Sequence, residues 1–222
     1  MKTYGQFCSI ARALDVLGER WSLLIVRELL CGSRRFGDVQ RGIPRISKTM
    51  LSARLRELAD AGVITRDGDD YQLTDAGREL GAVVEALGTW GQRWLPRDLP
   101  NDELDLDALV WDMRRRVDRD ALPSKPTVVR IEVRGARRYL LLKKSEVSLC
   151  AHNPGFPEEL IVRTDRRTLV AWWRGDLSFA QARHAGLVVE GPRALVAQFP
   201  RWFERYMFAG VAPAVSAPSA PL

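Results

Sequence analysis

The chain of 222 residues has few of the side chains that build metal sites, disulfide frameworks or catalytic triads. Its 3 cysteines, Cys8, Cys31 and Cys150, lack metal-ligand spacing, and an odd, sparse set is typical of a reducing compartment. The 2 histidines, His152 and His184, are isolated, so we expect surface or hydrogen-bonding roles for them. Neither a Gly-rich phosphate loop nor a Gly-x-Ser-x-Gly elbow is present. The sequence therefore predicts a protein that is not an enzyme and that holds no metal and no cofactor.

Long apolar runs are also missing. No run approaches the roughly 18 residues that a membrane-spanning helix needs, and residues 1–8 lack the apolar core of a signal peptide. We therefore expect a cytoplasmic protein without membrane insertion. The net charge is +6, but residues 1–96 carry 14 basic and 12 acidic side chains, a net charge of only +2. Charge alone thus gives weak support for a nucleic-acid partner.

The most informative pattern is a helix that begins after Ser47 and ends at Gly62. Ser47 can accept a hydrogen bond from a free amide of the first turn, and Gly62 can adopt the left-handed conformation that ends a helix. Leu51, Leu55 and Leu58 share one face, which predicts burial. The other face and the first turn carry small, hydroxyl or cationic side chains: Lys48, Thr49, Ser52, Ala53 and Arg56. Such a face fits a DNA major groove.

A β-hairpin turning on Asp67 and Gly68 follows this helix directly. Earlier helical patterns cover residues 10–17 and 21–30, and a short one starts at Arg34. This order of helices and hairpin is that of a winged helix-turn-helix. After the hairpin, Thr74 can cap a long helix that runs to about Leu95. Its apolar stripe predicts a partner surface, either another subunit or a second domain: Leu80, Val83, Val84, Leu87, Trp90 and Trp94.

Candidate DNA contacts fall into three groups, each of which has a solvated surface as its alternative. The reading helix offers groove-facing candidates: Ser47, Lys48, Thr49, Ser52 and Arg56. Loops and helix starts offer phosphate contacts: Arg34, Arg35, Arg45 and Arg54. Arg66 in the hairpin is a minor-groove candidate, but its neighbours Asp67, Asp69 and Asp70 repel phosphate. The hairpin tip is therefore predicted to stay off the duplex.

The composition changes in the second half of the chain. Residues 96–103 read as a linker. Helices are predicted over 106–117, 166–174, 179–184 and 193–203. Strands are predicted over 127–134, 139–143, 147–150, 160–163 and 187–189. The Ala/Pro/Ser tail from residue 209 is predicted to be disordered. Seven aromatic residues are candidates for a ligand pocket, with a fully packed core as the alternative: Trp111, Trp172, Trp173, Phe179, Phe199, Trp202 and Phe203.

The first half resembles the HxlR-type winged helix-turn-helix regulators. Five stretches carry the resemblance, in order: Cys8–Trp21, Leu24–Leu30, Arg35–Val39, Ile46–Leu58 and Tyr71–Gly77. It implies a homodimeric bacterial transcription factor, with dimer contacts from the first helix and from the long helix after the wing. The implied dimer residues are Ile10, Leu14, Leu80, Val84, Leu87, Trp90 and Trp94. Some members sense oxidants through a cysteine at the position of Cys8, where a helix start lowers a thiol pKa; a small buried residue is the alternative.

The second half resembles the sterol carrier protein type two fold, on Leu109–Arg116, the β-meander from Thr127, Asp165–Leu169 and Gly191–Val196. Members of that fold enclose an apolar tunnel, which implies a module for a small apolar ligand. The predicted fold class is α+β in four parts: a winged helix-turn-helix domain (1–96), a linker (97–104), a sterol-carrier-like domain (105–208) and a disordered tail (209–222).

These patterns predict a homodimeric transcriptional regulator, expected to be a repressor, that binds double-stranded DNA at an inverted-repeat operator. A small apolar ligand or oxidation of Cys8 is the expected modulator. The alternative is a lipid or acyl-chain carrier that uses the winged helix only for dimerisation. An enzyme in the second half would need a catalytic cluster that the sequence does not offer.

Overall fold

The structure is a computed structural model that describes residues 3–214. The chain divides into two compact units, Met1–Trp90 and Gly91–Leu222. Together they form a mixed α+β protein with a helical first unit and a sheet-containing second unit. No helix among the described residues is long and apolar enough to cross a membrane.

The first unit consists of helices followed by a two-stranded antiparallel hairpin and one long helix. The helices are α1 (Ser9–Leu17), α2 (Ser22–Leu30), α3 (Phe36–Gly42), α4 (Lys48–Asp60) and α5 (Asp75–Trp94). The strands are β1 (Ile64–Asp67) and β2 (Asp70–Leu73). α5 crosses the unit boundary and ends in the second unit. The winged helix-turn-helix order predicted from the sequence is confirmed.

The core of the first unit lies between α2, α3, α4 and the start of the hairpin. Ile25 and Val26 from α2, Val39 from α3 and Leu51 from α4 have no exposed surface. These side chains recur at helical spacing on the inward face of each element, so one face of each helix is buried and the other stays in water. The packing of the buried faces therefore determines which side of each helix in the first unit is exposed.

The second unit is a five-stranded sheet with helices on one face. Its helices are α6 (Leu106–Arg115), α7 (Arg166–Arg174), α8 (Phe179–His184) and α9 (Arg193–Gln198). Its strands are β3 (Thr127–Val133), β4 (Ala136–Leu142), β5 (Val147–Cys150), β6 (Glu158–Thr164) and β7 (Val188–Glu190). The strand order is β5-β4-β3-β6-β7, with β3 and β6 parallel and the other pairs antiparallel.

Alternation along the strands explains why the helices cover one face. Val129, Ile131 and Val133 of β3 lie in the main core with the helices. Arg130 and Glu132 alternate with them on the other face and are half-buried. A period of two along a strand sends successive side chains to opposite faces. One face of β3 is therefore apolar, and the other carries these two charged residues next to Val128, which is buried in a second, small apolar cluster.

Three segments depart in kind from the sequence-based expectation, and several other element ends are shifted by a few residues. The predicted helix over 193–203 is α9 followed by a 3-10 turn at Phe199–Trp202, because Pro200 has no amide hydrogen with which to continue an α-helix. The predicted linker contains a 3-10 turn at Asn101–Glu103. Of the tail predicted to be disordered, residues 209–214 make backbone hydrogen bonds, including one from the Ala214 amide to the Arg93 carbonyl at 2.8 Å. Residues 215–222 lie outside the described residues.

Candidate nucleic-acid interface

Helix α4 has the N-cap and the buried stripe that the sequence predicts. The Ser47 hydroxyl accepts a hydrogen bond from the Met50 amide at 3.1 Å. Leu51, Leu55 and Leu58 are almost completely buried. Gly62 has a φ of +71°, the left-handed conformation that lets the chain leave the helix and enter β1. The Ser47 cap and Gly62 set the two ends of α4, and the buried leucines determine which face of the helix is exposed to solvent.

The solvent-facing side of α4 carries the predicted groove contacts. Lys48, Ser52 and Arg56 recur every four residues, so they lie in one row along the helix. All three are exposed, as are Ser47 and Thr49. Among residues 3–214, neither Lys48 nor Arg56 has an ion pair with another residue. This row is free to hydrogen bond with base edges or phosphates.

Arg54 differs from the other basic residues of α4. Its side chain is only 14% exposed, and its guanidinium binds Glu19 at 2.7 Å and also Glu57. It therefore fixes α4 to the segment before α2 and is poorly placed to bind phosphate. The sequence carries a signal for this, because Arg54 lies three residues after Leu51 and four before Leu58, on the edge of the buried stripe.

Arg34 and Arg35 form part of the wing, a role that the sequence does not predict. Arg35 is in extended conformation and makes an isolated antiparallel bridge with Asp70. The Arg34 carbonyl accepts a hydrogen bond from the Tyr71 amide at 2.7 Å, and the Arg35 Nε lies 3.7 Å from the Asp70 carboxylate. α3 consequently starts at Phe36, later than the sequence suggests. Both arginine side chains remain exposed beside the hairpin.

The hairpin tip is acidic, and the Arg66 side chain makes its contacts within the hairpin. The Arg66 Nε donates to the Gly68 carbonyl at 2.8 Å, and its guanidinium lies 5.6 Å from the centre of the Tyr71 ring. Asp67 and Asp69 are exposed at the tip. These interactions hold the Arg66 side chain along the hairpin, and the two carboxylates would repel a phosphate backbone. Arg45, in the turn before α4, is exposed.

A buried carboxylate, which the sequence does not predict, joins α2, α3 and the segment between them. Glu28 on α2 has no exposed surface and binds Arg27 at 2.5 Å and the Ser33 hydroxyl at 3.1 Å. Arg27 also donates to the Gly42 carbonyl at the end of α3. A Cβ at Gly42 would lie 1.9 Å from a Glu28 oxygen, so only glycine lets α3 come this close. The sequence does carry a signal for this buried carboxylate, because Glu28 is the one acidic residue in the apolar stretch 21–30.

The predicted dimer residues divide into an exposed and a half-buried group. Ile10 is 71% exposed on α1 and Trp90 is 54% exposed on α5. Leu14, Leu87 and Trp94 are also exposed. Leu80 and Val84 instead are partly buried against the core of the first unit. Val83, which belongs to the predicted partner stripe, is also exposed, and further exposed apolar residues lie outside every predicted set: Tyr4, Phe7 and Leu95.

Cys8 stands at the N-cap of α1 and is exposed. The backbone amides of Ala11 and then Ile10 hold the pKa of the Cys8 thiol below its ordinary value. A helix start favours a thiolate because its free amides present positive partial charge. The alternative of a small buried residue does not fit this exposed position. Cys31 and Cys150 are half-buried.

The predicted ligand-pocket aromatics of the second unit contact one another. Trp172 lies within 5.7 Å of Phe179 and Phe199, measured between ring centres. Phe199 lies 5.9 Å from Trp202 and 5.4 Å from Phe203. Ring centres at these distances are typical of packed aromatic pairs. Trp173 also belongs to this core, whereas Trp111 lies under the guanidinium of Arg114.

Within residues 3–214, no group of three or more His, Cys, Asp or Glu side chains is arranged to hold a metal ion. His184 forms a hydrogen bond with the Ala180 carbonyl in its own helix. The arrangement that remains is a cationic helix face beside a hairpin, which can bind a groove by hydrogen bonds and charge.

Comparisons with known proteins bear on the first unit. Residues 16–99 match the family model described as HxlR-like helix-turn-helix. An HTH-type transcriptional regulator of Mycobacterium tuberculosis is 46% identical over 98 residues, which is 40% of this chain and 60% of that protein. This chain thus spans 60% of the length of that mycobacterial relative.

Two proteins of Bacillus subtilis are also similar. The HTH-type transcriptional regulator YvaP is 37% identical over 91 residues, which is 38% of this chain and 84% of YvaP. The reduced form of the transcriptional regulator YodB is 30% identical and is covered completely by 42% of this chain, with a TM-score of 0.37. Because the match to YvaP covers most of that protein, this chain belongs to the HxlR-like helix-turn-helix family of transcriptional regulators.

Proposed function

We propose that this protein binds double-stranded DNA through the exposed row Lys48, Ser52 and Arg56 of α4. The observation that carries the proposal is the freedom of this row opposite a fully buried leucine stripe, with Arg34 and Arg35 exposed beside it on the wing. An arginine can form two hydrogen bonds with one guanine, and a serine or threonine hydroxyl can hydrogen bond with several kinds of base. We place Ser47, Thr49 and Arg45 in the same surface and leave out Arg54 and Arg66, which other groups already engage.

We propose a homodimer that uses the exposed apolar faces of α1 and α5. Ile10 is exposed on α1. Leu87, Trp90 and Trp94 are exposed at helical spacing on α5, so these three form one apolar stripe. An exposed apolar patch of this kind usually marks an interface. Two-fold symmetry presents two copies of α4 to grooves about one helical turn apart. The operator would then be an inverted repeat, and occupation of a promoter would make the protein a repressor.

For the second unit we propose the sterol-carrier-like fold, in a domain that begins near residue 105 after a linker over 97–104. The meander of β3, β4 and β5 with helices on one sheet face supports this assignment. Ring contacts within the aromatic core favour its role as packing, so we do not extend the likeness to an apolar ligand there. We propose Cys8 as the modulating group, because its exposed thiol stands at a helix start.

Selection of DNA from a random pool with the full chain tests the proposal, followed by affinity measurements on the selected sequence. The double variant Lys48→Ala/Arg56→Ala should weaken binding by about 2–4 kcal/mol, roughly 30-fold or more. The control Lys125→Ala/Arg137→Ala removes the same charge from exposed positions of the second unit and should change affinity only slightly. A carrier with a scaffold-only winged helix would select no sequence, and that outcome would contradict the proposal.

A further inference from the structure

The second unit contains an open cleft of about 420 Å³ that lies apart from its aromatic core. The cleft is lined by five residues from three segments: Asn101, Arg134, Asp165, Arg166 and Arg167. Asn101 comes from the 3-10 turn, Arg134 from the turn between β3 and β4, and the others from the start of α7. A volume of this size is within the range of small-molecule sites.

The lining has an excess of positive charge, with three guanidinium groups and one carboxylate. The Asp165 carboxylate is already occupied, since it accepts hydrogen bonds from the Thr168 amide at 3.0 Å and the Thr168 hydroxyl at 2.7 Å. The Thr168 amide in the first turn of α7 is thus not available to a ligand. The side-chain donors that this cleft can offer are therefore the guanidinium groups and the Asn101 amide.

Two of the three guanidinium groups have no hydrogen-bond partner among the described residues, although the charge of Arg166 also acts on the nearby Asp107 carboxylate. Over the described part of the chain, Arg134 and Arg166 make no hydrogen bond and no ion pair with another residue. Arg167 is oriented by the Asp98 carboxylate and lies 3.4 Å from the Asn101 side-chain oxygen. Each guanidinium presents a planar fork of N–H donors that suits two oxygens of a phosphate, and three such groups line this one cleft.

The backbone at Arg134 adds a second observation. Arg134 has a φ of +45° and Gly135 a φ of +83°, in a two-residue turn that joins Val133 to its partner Ala136. A turn with two positive φ values favours Asn, Asp or Gly at its first position. Arginine is not the residue that this turn selects, so its presence at the cleft points to a use for its side chain.

A buried hydroxyl, that of Thr164, belongs to a residue next to two of the segments that line the cleft. The Thr164 Oγ1 is shielded from solvent and has no hydrogen-bond partner among the described residues. Thr164 pairs with Val133, the residue before Arg134, and is followed in the chain by Asp165. Shielded hydroxyls are nearly always hydrogen bonded in folded proteins, to water or a ligand if not to protein.

We propose that this cleft binds a small phosphate-bearing molecule through Arg134, Arg166 and Arg167. The lining has three guanidinium groups against one carboxylate, and Asp98 is paired with Arg167. The site therefore keeps a net positive charge that attracts a phosphate monoester, which carries about −1.5 to −2 charges at neutral pH. The site is independent of DNA binding by α4, because all its residues belong to the second unit. The same chemistry could be presented by a soluble metabolite or by a lipid headgroup.

The test is a calorimetric titration of the full chain with inorganic phosphate, with pyrophosphate and with vesicles that contain phosphatidic acid. The variant Arg134→Asn/Arg166→Gln removes the two guanidinium groups that have no hydrogen-bond partner within residues 3–214 and should weaken binding by about tenfold or more. Asn is a preferred residue at the turn position, so this variant is expected to melt no earlier than the wild type. The control Arg137→Gln removes an exposed arginine that faces Glu132 and should leave binding unchanged.

Saturable binding of phosphate or pyrophosphate that depends on Arg134 and Arg166 would support a soluble ligand. Binding of the vesicles alone, with the same dependence, would support the site and assign its phosphate to a lipid headgroup. Equal binding by the wild type and the double variant would overturn the proposal, as would the absence of saturable binding to every probe in the millimolar range.

Discussion

In the first unit Ile10, Leu87 and Trp90 stand exposed on α1 and α5, whereas in the second unit Trp172 and Trp202 are buried among other rings. An aromatic side chain buries about 150–250 Å² when it is fully enclosed. The second unit gains this stabilisation within one chain, while the first leaves comparable apolar area for a partner. This difference is what the proposed homodimer would explain, whereas the aromatic core of the second unit is packed within one chain.

The largest expected effect separates these two kinds of aromatic residue. Trp172→Ala should lower the free energy of unfolding by about 3–5 kcal/mol, because it opens a cavity in a packed core. Trp90→Ser should instead shift the chain from dimer to monomer. Urea unfolding and sedimentation velocity measure the two changes. A fully dimeric Trp90→Ser protein would contradict the role proposed for α5.

The next effect compares two glycines of α3. A Cβ at Gly42 meets the Glu28 carboxylate at 1.9 Å, whereas a Cβ at Gly37 meets nothing within 4 Å. Gly42→Ala should therefore lower the free energy of unfolding by about 1–3 kcal/mol. Gly37→Ala should raise it by about 0.5–1 kcal/mol, since alanine has less backbone entropy to lose. Equal values in thermal unfolding would show that the Glu28 cluster is not as tightly packed as described.

A third comparison concerns two arginines of α4. Arg54→Ala removes the contacts with Glu19 and Glu57 and should reduce stability by about 1–2 kcal/mol. Arg56→Ala removes no such contact and should leave stability unchanged, yet it should cost about 1–3 kcal/mol of DNA affinity. Melting curves and fluorescence anisotropy on selected DNA give both numbers for each variant. A loss of stability in Arg56→Ala together with a loss of DNA affinity in Arg54→Ala would contradict the roles assigned to these two arginines.

The smallest expected effect is the reactivity of Cys8. Because its thiol pKa is lowered, alkylation should reach half its maximal rate at a pH below that of an ordinary free thiol. The half-buried Cys31 and Cys150 should react more slowly at neutral pH. Iodoacetamide labelling over a pH series, read by peptide mass spectrometry, tests this order. Cys8→Ser serves as the control for assignment.

The elements that local patterns determine could be predicted from the sequence. The Ser47 cap and the Leu51, Leu55 and Leu58 stripe depend on neighbours within one helix, and the structure has both. Contacts between residues that are far apart in the chain leave no such local pattern in the sequence. The Arg34 carbonyl bonds Tyr71, and Glu28 meets Ser33 and Gly42, through contacts that only the folded chain creates.

The direction of individual side chains was the other feature that composition could not provide. Arg54 and Arg56 are the same residue type two positions apart, yet one is bound to two carboxylates and the other is exposed. The aromatic residues of the second unit have the same sequence pattern whether they line a cavity or fill a core. Ring-to-ring distances distinguish the two, and these depend on packing across α7, α8 and the 3-10 turn at Phe199–Trp202.

Hydroxyl-radical footprinting of the full chain on DNA selected from a random pool tests the proposed function most directly. A dimer that inserts two copies of α4 should protect two short stretches on one face of the duplex, about one helical turn apart, within an inverted repeat. The Lys48→Ala/Arg56→Ala variant should lose both protections together. A single asymmetric footprint, or one that the double variant retains, would contradict DNA reading by a pair of α4 helices.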